Sequence, residues 1–178
     1  MAEYIGITQY DLPTVHILDT RGDFRKYKLI GDITLNNLIN FVSEWENGEL
    51  VAFYKSQEIP HYQTGPIKEI VGKNFKEVVF DESRDILVEF YAPWCNYCMA
   101  FVPVYLDLAE KLERLRSEIL LTRIDIINNE VEGIIIQGTP TLMFYKKGSK
   151  NQPIVYSGER ELNKILDFLE VKELKDDL

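Results

Sequence analysis

The 178 residues contain two cysteines, three positions apart, in Cys95-Asn96-Tyr97-Cys98. On a helix this spacing puts both thiols on one face, one turn apart, where they can close a disulfide or resolve a mixed disulfide with a substrate. Thiol-disulfide exchange is therefore the first chemistry the sequence offers. Two cysteines are too few for a multi-disulfide scaffold or a four-thiolate zinc site. A metal site completed by histidine is poorly served, because His16 and His61 lie outside the segment that forms a complete domain. No metal and no cofactor is expected.

The elements that must position this pair can be read around it. Ile86-Leu87-Val88-Glu89-Phe90-Tyr91 has a buried-strand pattern, and Ala92-Pro93-Trp94 turns the strand into a helix opening at Cys95. Partial positive charge at a helix N-terminus favours a thiolate over a thiol. Cys95 is read as the exposed, attacking sulfur, with Cys98 beneath it as the resolving one. Pro103 is expected to bend the helix behind them. Glu89 is the anomaly in an otherwise apolar strand. If buried, its carboxyl would titrate high and could exchange protons with Cys98. Strand alternation also permits an ordinary glutamate facing water, and both readings stay open on pattern alone.

Ahead of the dithiol the sequence predicts a strand over Ile67 to Val71 and a helix around Phe75 to Val79. After it come a long helix from Cys95 to near Ser117 and a strand over Leu120 to Ile126, and then, past Pro140, two strands and a helix. This β-α-β-α-β then β-β-α order specifies an α/β domain with a mixed sheet flanked by helices. The chain also matches itself without a gap at an offset of 127, from Gly6 to Val42: Gly6 falls on Gly133, Pro13-Thr14 on Pro140-Thr141, Gly31 on Gly158 and Leu35-Asn36 on Leu162-Asn163. Chance similarity between two strand-strand-helix units is the alternative. Only twelve residues precede Pro13, so the N-terminal copy reads as a partial β-β-α unit without a front half. Such a unit could fold onto the following domain, pair its open strands with another chain, or stay disordered. The polar stretch Lys55 to Pro66, with two prolines and a glycine, reads as a linker.

Bulk properties exclude several classes. A formal net charge of −9 with no Lys/Arg cluster argues against nucleic acid or an anionic membrane as the main partner. At 46% hydrophobic and 28% charged residues the chain should fold. No apolar run approaches the roughly 20 residues needed to span a bilayer, and Met1-Ala2-Glu3-Tyr4 lacks the basic-then-apolar pattern of a signal peptide.

At Val88-Glu89-Phe90-Tyr91-Ala92-Pro93-Trp94-Cys95 the sequence resembles the active-site approach of the protein disulfide isomerase family. The resemblance extends through Val71-Gly72-Lys73-Asn74-Phe75, Arg123-Ile124-Asp125, Pro140-Thr141 and Tyr156-Ser157-Gly158-Glu159-Arg160. It implies a thioredoxin fold at 67–172, similar to the catalytic a′ domain. Residues 1–54 resemble the back half of the non-catalytic b′ domain, a partial thioredoxin-like unit, with a linker at 55–66 and a tail at 173–178. Lys175-Asp176-Asp177-Leu178 resembles the endoplasmic reticulum retrieval signal. The implied setting is the endoplasmic reticulum lumen, and the implied partners are unfolded or misfolded secretory polypeptides, glutathione or an oxidase, and a retrieval receptor.

The resemblance also implies roles. Cys95 would be the nucleophile, Cys98 the resolving thiol, Glu89 the buried proton acceptor and Arg123 its basic neighbour. Arg160 would be the arginine that swings toward the buried cysteine, where a guanidinium stabilises a thiolate. Pro140 would be a cis-proline facing the dithiol, with Trp94 beside it and the backbone of Thr139 free to pair with an extended substrate. Three positions depart from the family. Asn96-Tyr97 replaces the usual Gly-His, so the imidazolium that stabilises the thiolate and the reduced form is missing. Met99 replaces a lysine, and Thr139 an aromatic residue. These departures predict a less acidic Cys95 and a more reducing couple. The alternative reading is a weakly active chaperone or subunit module that binds unfolded polypeptides.

Overall fold

The computed structural model describes residues 5–21 and 24–171, which fall into two compact units that divide at Lys55/Ser56. The retrieval-like tail Lys175 to Leu178 lies outside the described residues.

In the first unit, strand β1 (His16–Asp19) pairs antiparallel with β2 (Arg25–Lys28), and helix α1 (Leu35–Glu46) follows. Thr34 caps α1 by accepting a hydrogen bond from the Asn37 N–H at 3.2 Å. Tyr27 and Phe41 are buried, and the Leu12–Pro13 peptide is cis. A short 3-10 turn, Gln9–Asp11, precedes that proline.

The second unit contains β3 (Lys68–Glu69), α2 (Gly72–Val79), β4 (Ile86–Tyr91), α3 (Asn96–Arg114), β5 (Leu120–Asp125), β6 (Thr141–Tyr145), β7 (Ile154–Tyr156) and α4 (Leu162–Phe168). Its sheet order is β3-β5-β4-β6-β7, with β3, β5 and β4 parallel and β6 and β7 antiparallel to their neighbours. This is the mixed sheet of a thioredoxin fold. Under the 127-residue offset, β1, β2 and α1 fall on β6, β7 and α4, and Pro13 falls on Pro140, whose bond from Thr139 is likewise cis.

Both faces of the sheet are covered. Ile86, Val88 and Phe90 pack against Phe75, Val78 and Val79 of α2. Leu87, on the other face, packs with Phe101, Tyr105, Leu108 and Leu112 of α3 and with Ile165 and Leu166 of α4. A strand sandwiched in this way has no water-facing side, which is why all but the last residue of β4 are buried. Tyr105 pins α3 to the sheet, its single hydroxyl proton shared between the carbonyls of Thr122 at 2.9 Å and Leu87 at 3.2 Å.

Part of the stretch read as a linker is tied to the second unit by side chains. The Asn129 carboxamide oxygen accepts from the N–H groups of Gln57 at 3.0 Å and Gly72 at 3.1 Å, while its nitrogen donates to the Gln57 side chain and to the Asp125 carbonyl. The Gln63 amide pairs with edge strand β3 through the N–H and C=O of Glu69, at 2.6 and 2.9 Å. A free linker would leave these edge groups to solvent.

Candidate active site

Helix α3 starts where the sequence predicts. Cys95 has extended backbone angles and acts as the N-cap, its sulfur accepting from the Cys98 N–H at 3.1 Å. The two sulfurs are joined as a disulfide, with the Cα atoms 5.2 Å apart. The helix carries Pro103 in its interior without ending there.

Exposure corrects one expectation. Cys95, read as the exposed sulfur, belongs to a residue only 6% exposed, against 3% for Cys98. Its sulfur lies 3.4 Å from the Thr139 carbonyl oxygen, so the segment before Pro140 closes over it. A disulfide sulfur has no proton to donate, so this approach is a packing contact that leaves the carbonyl's capacity to accept a hydrogen bond unused. The solvent-facing parts of the motif are instead Trp94, Tyr97 and Met99, at 70%, 76% and 54% exposure, with Asn96 exposed between the cysteines. They form a largely apolar rim around a covered disulfide.

In this disulfide form the Arg160 guanidinium donates to the Pro140 carbonyl at 2.8 Å and so braces the cis-proline segment. With the cysteines in a disulfide there is no thiolate to draw the guanidinium in, and an uncapped carbonyl competes for it.

Glu89 is 1% exposed, which decides between its two readings. Alternation along β4 places it on the side of Leu87, under α3, and burial pushes its carboxyl up to about 7. The positive charge of Arg123 opposes this rise, and the negative charge of Glu69 adds a smaller upward push. Glu89, Cys98, Met99, Val102, Tyr91 and Arg123 all border one cavity of about 280 Å³. The polar groups of Glu89, Tyr91 and Arg123 border the space, which is roomy enough for water to link the carboxyl with the sulfur. A larger open depression of about 580 Å³ lies at the other end of the sheet, around Asp85, Glu118 and Lys147, away from the dithiol.

Sequence reasoning missed the company Arg123 keeps. Its Nε lies 3.0 Å from a Glu69 carboxylate oxygen, an ion-pair contact without hydrogen-bond alignment, and its guanidinium carbon sits 4.1 Å from the centre of the Tyr91 ring. The Tyr91 hydroxyl in turn donates to Glu69 at 2.6 Å. A charged residue in the short segment Ile67 to Val71 was the available signal, but only the register of β3 on β5 puts it opposite Arg123.

Chemically, the arrangement offers a dithiol at a helix N-terminus and a cis-proline segment against its outer sulfur. It also offers a buried carboxyl able to carry a proton near neutral pH, within the same cavity as the inner sulfur.

The thioredoxin family model matches residues 66–171. Protein disulfide-isomerase of Gallus gallus is 36% identical over 170 residues, covering 94% of this chain and 33% of that protein. Protein disulfide-isomerase of Saccharomyces cerevisiae is 37% identical over 130 residues, covering 73% of this chain and 25% of that protein. The chain thus spans a third or less of the length of these relatives. Among solved structures, the first thioredoxin domain of mouse protein disulfide-isomerase A4 superposes with a TM-score of 0.54 at 25% identity, covering 68% of this chain and 89% of that one.

Proposed function

Because the chain belongs to the thioredoxin family, with protein disulfide-isomerases as its relatives, we propose that it catalyses thiol-disulfide exchange through Cys95 and Cys98. The observation that carries the reading is the placement of Cys95. It is the N-cap of α3, bonded to Cys98 and set against the carbonyl that precedes Pro140.

In the reducing direction, the Cys95 thiolate attacks one sulfur of a substrate disulfide. A Cys95–substrate disulfide forms and one substrate thiolate leaves. Cys98 then gives its proton to Glu89, through water in the shared cavity, and its thiolate attacks the Cys95 sulfur. The Cys95–Cys98 disulfide forms, the second substrate thiolate leaves, and two electrons have passed to the substrate. Run backwards, the same steps oxidise a dithiol substrate. Attack by a second substrate thiol on the mixed disulfide rearranges pairings with no net redox change. The helix N-terminus and the Cys98 N–H stabilise the Cys95 thiolate.

The finer reading follows from the departures in the motif. Tyr97 is exposed beside the dithiol and brings no cation to the thiolate, so the couple is more reducing than that of Cys-Gly-His-Cys domains and favours isomerisation or reduction. Trp94, Thr139 and Pro140 form the substrate-facing surface, with unfolded secretory polypeptides as substrates and glutathione or an oxidase as redox partner. Residues 67–172 act as the catalytic domain and 1–54 as a b′-like unit. The endoplasmic reticulum lumen is the proposed setting, supported by the likeness of Lys175-Asp176-Asp177-Leu178 to a retrieval signal. Among the described residues no helix is long and apolar enough to cross a membrane.

Insulin reduction by the wild type and by Cys95→Ser tests the reading. Turnover should vanish in the variant, and Cys98→Ser should accumulate a mixed disulfide. Equal rates for wild type and Cys95→Ser would leave only the binding-module reading.

A further inference from the structure

Glu69, Arg123 and Glu89 occupy one row across three neighbouring strands, since β5 pairs Arg123 with Glu69 of β3 on one side and with Glu89 of β4 on the other. Directly paired residues project from the same face of a sheet, so one guanidinium stands between two carboxylates. It does not share itself evenly. Arg123 pairs with Glu69 at 3.0 Å, and among the described residues no ion pair joins it to Glu89.

The asymmetry has a structural cause. Glu69 sits on the edge strand, with its side chain 37% exposed, and can stay ionised at little cost. Glu89 is 1% exposed, so its charged form is penalised whenever the guanidinium turns away. Glu69 is also held from two directions. Its backbone is fixed by the Gln63 amide, and one carboxylate oxygen accepts from the Tyr91 hydroxyl while the other faces Arg123. Arg123 therefore lies over the Tyr91 ring, 4.1 Å from its centre.

We propose that Glu69 is a positioning residue for the exchange reaction: by clamping Arg123 against Tyr91 it denies the guanidinium to Glu89, leaving that carboxyl free to take up and return the Cys98 proton. The inference rests on the reading of Glu89 as proton acceptor and names what keeps it in that state. The groups facing Glu89 are Arg123 of β5, Glu69 of β3, Tyr91 on its own strand, and Tyr105 and Cys98 of α3; the β6 neighbour, Leu142, is apolar. Of these only Arg123 is positively charged, so its direction decides how readily Glu89 ionises.

A double-mutant cycle on the full oxidised chain separates the clamp from a simple charge effect. The Glu89 carboxyl is followed by carbon NMR through a pH titration in the wild type, Glu69→Gln, Arg123→Gln and the double variant, with Glu89→Gln used to assign the signal. Glu69→Gln should lower the midpoint by about one pH unit or more, because Arg123 is released toward Glu89 and a like charge is lost. Arg123→Gln should raise it. In the Arg123→Gln background, Glu69→Gln should produce a clearly smaller fall, since no guanidinium remains to redirect. No shift in Glu69→Gln, or an equal shift in both backgrounds, overturns the proposal.

The pH profile of insulin reduction distinguishes this failure from failure of the underlying reading. The acid limb should move in Glu69→Gln by the same interval as the NMR midpoint. If the NMR cycle behaves as expected but the limb stays in place, the clamp stands and Glu89 is not the proton acceptor.

Discussion

Replacing Glu89 with glutamine should make the protein more stable and less active, by amounts that depend on pH. The carboxyl is 1% exposed and titrates at about 7 instead of the ordinary 4.5. The folded chain thus holds this proton more tightly than the unfolded chain does. Between those two values the native state binds more protons than the unfolded state, so stability falls as pH rises through the window and levels off above it. At about 1.4 kcal/mol per pH unit, the full loss is about 3 kcal/mol, nearly complete at pH 8 and under about 1 kcal/mol at pH 5. Glu89→Gln keeps the shape of the neutral acid and cannot ionise. Its stability should match that of the wild type to within about 1 kcal/mol at pH 5 and exceed it by about 3 kcal/mol at pH 8. The latter corresponds to a rise in Tm of about 6 to 12 °C for a chain of this size. Urea unfolding of the oxidised proteins at the two pH values measures the difference directly. Turnover should fall by about a hundredfold or more, as when a general base is removed. A gain in stability of equal size at pH 5 and pH 8 would refute the argument, because it would locate the effect in packing rather than in proton binding.

Two further outcomes test other parts of the structure. Tyr97→His, at a position 76% exposed, should leave the fold intact and raise the reduction potential by on the order of 30 mV or more, as read by glutathione titration; an unchanged potential counts against the part assigned to the missing imidazolium. Tyr105→Phe removes the hydroxyl that bonds the Leu87 and Thr122 carbonyls and should lower stability by about 1 to 3 kcal/mol in urea unfolding, whereas a variant as stable as the wild type would mean that α3 needs no polar anchor on the sheet.

The order of elements was legible from sequence because the signals for it are local. A short, nearly continuous apolar run marks β4, Ala92-Pro93-Trp94 marks its turn into α3, and the Cys95/Cys98 spacing sets both sulfurs on one helical turn. The same holds for Pro140, whose place before β6 follows from its strand-starting context. Helix boundaries shifted by a few residues, with α2 opening at Gly72 and α3 ending at Arg114, as expected where terminal turns depend on capping contacts.

What tertiary structure alone decided concerns groups whose partners are distant in the chain. The dithiol, its strand and its helix were determined by residues within a few positions of one another. Whether Glu89 faces water or protein depended on α3 and α2 covering both sides of β4, and no alternation within one strand carries that information. The partner of Arg123 depended on the register of three strands, which placed Glu69, remote in sequence, nearer to its guanidinium than the expected Glu89. The cover on Cys95 came from Thr139, and Arg160 was drawn to the Pro140 carbonyl. Periodicity fixes which side of an element a residue takes, but burial and charge pairing arise only when separate elements meet.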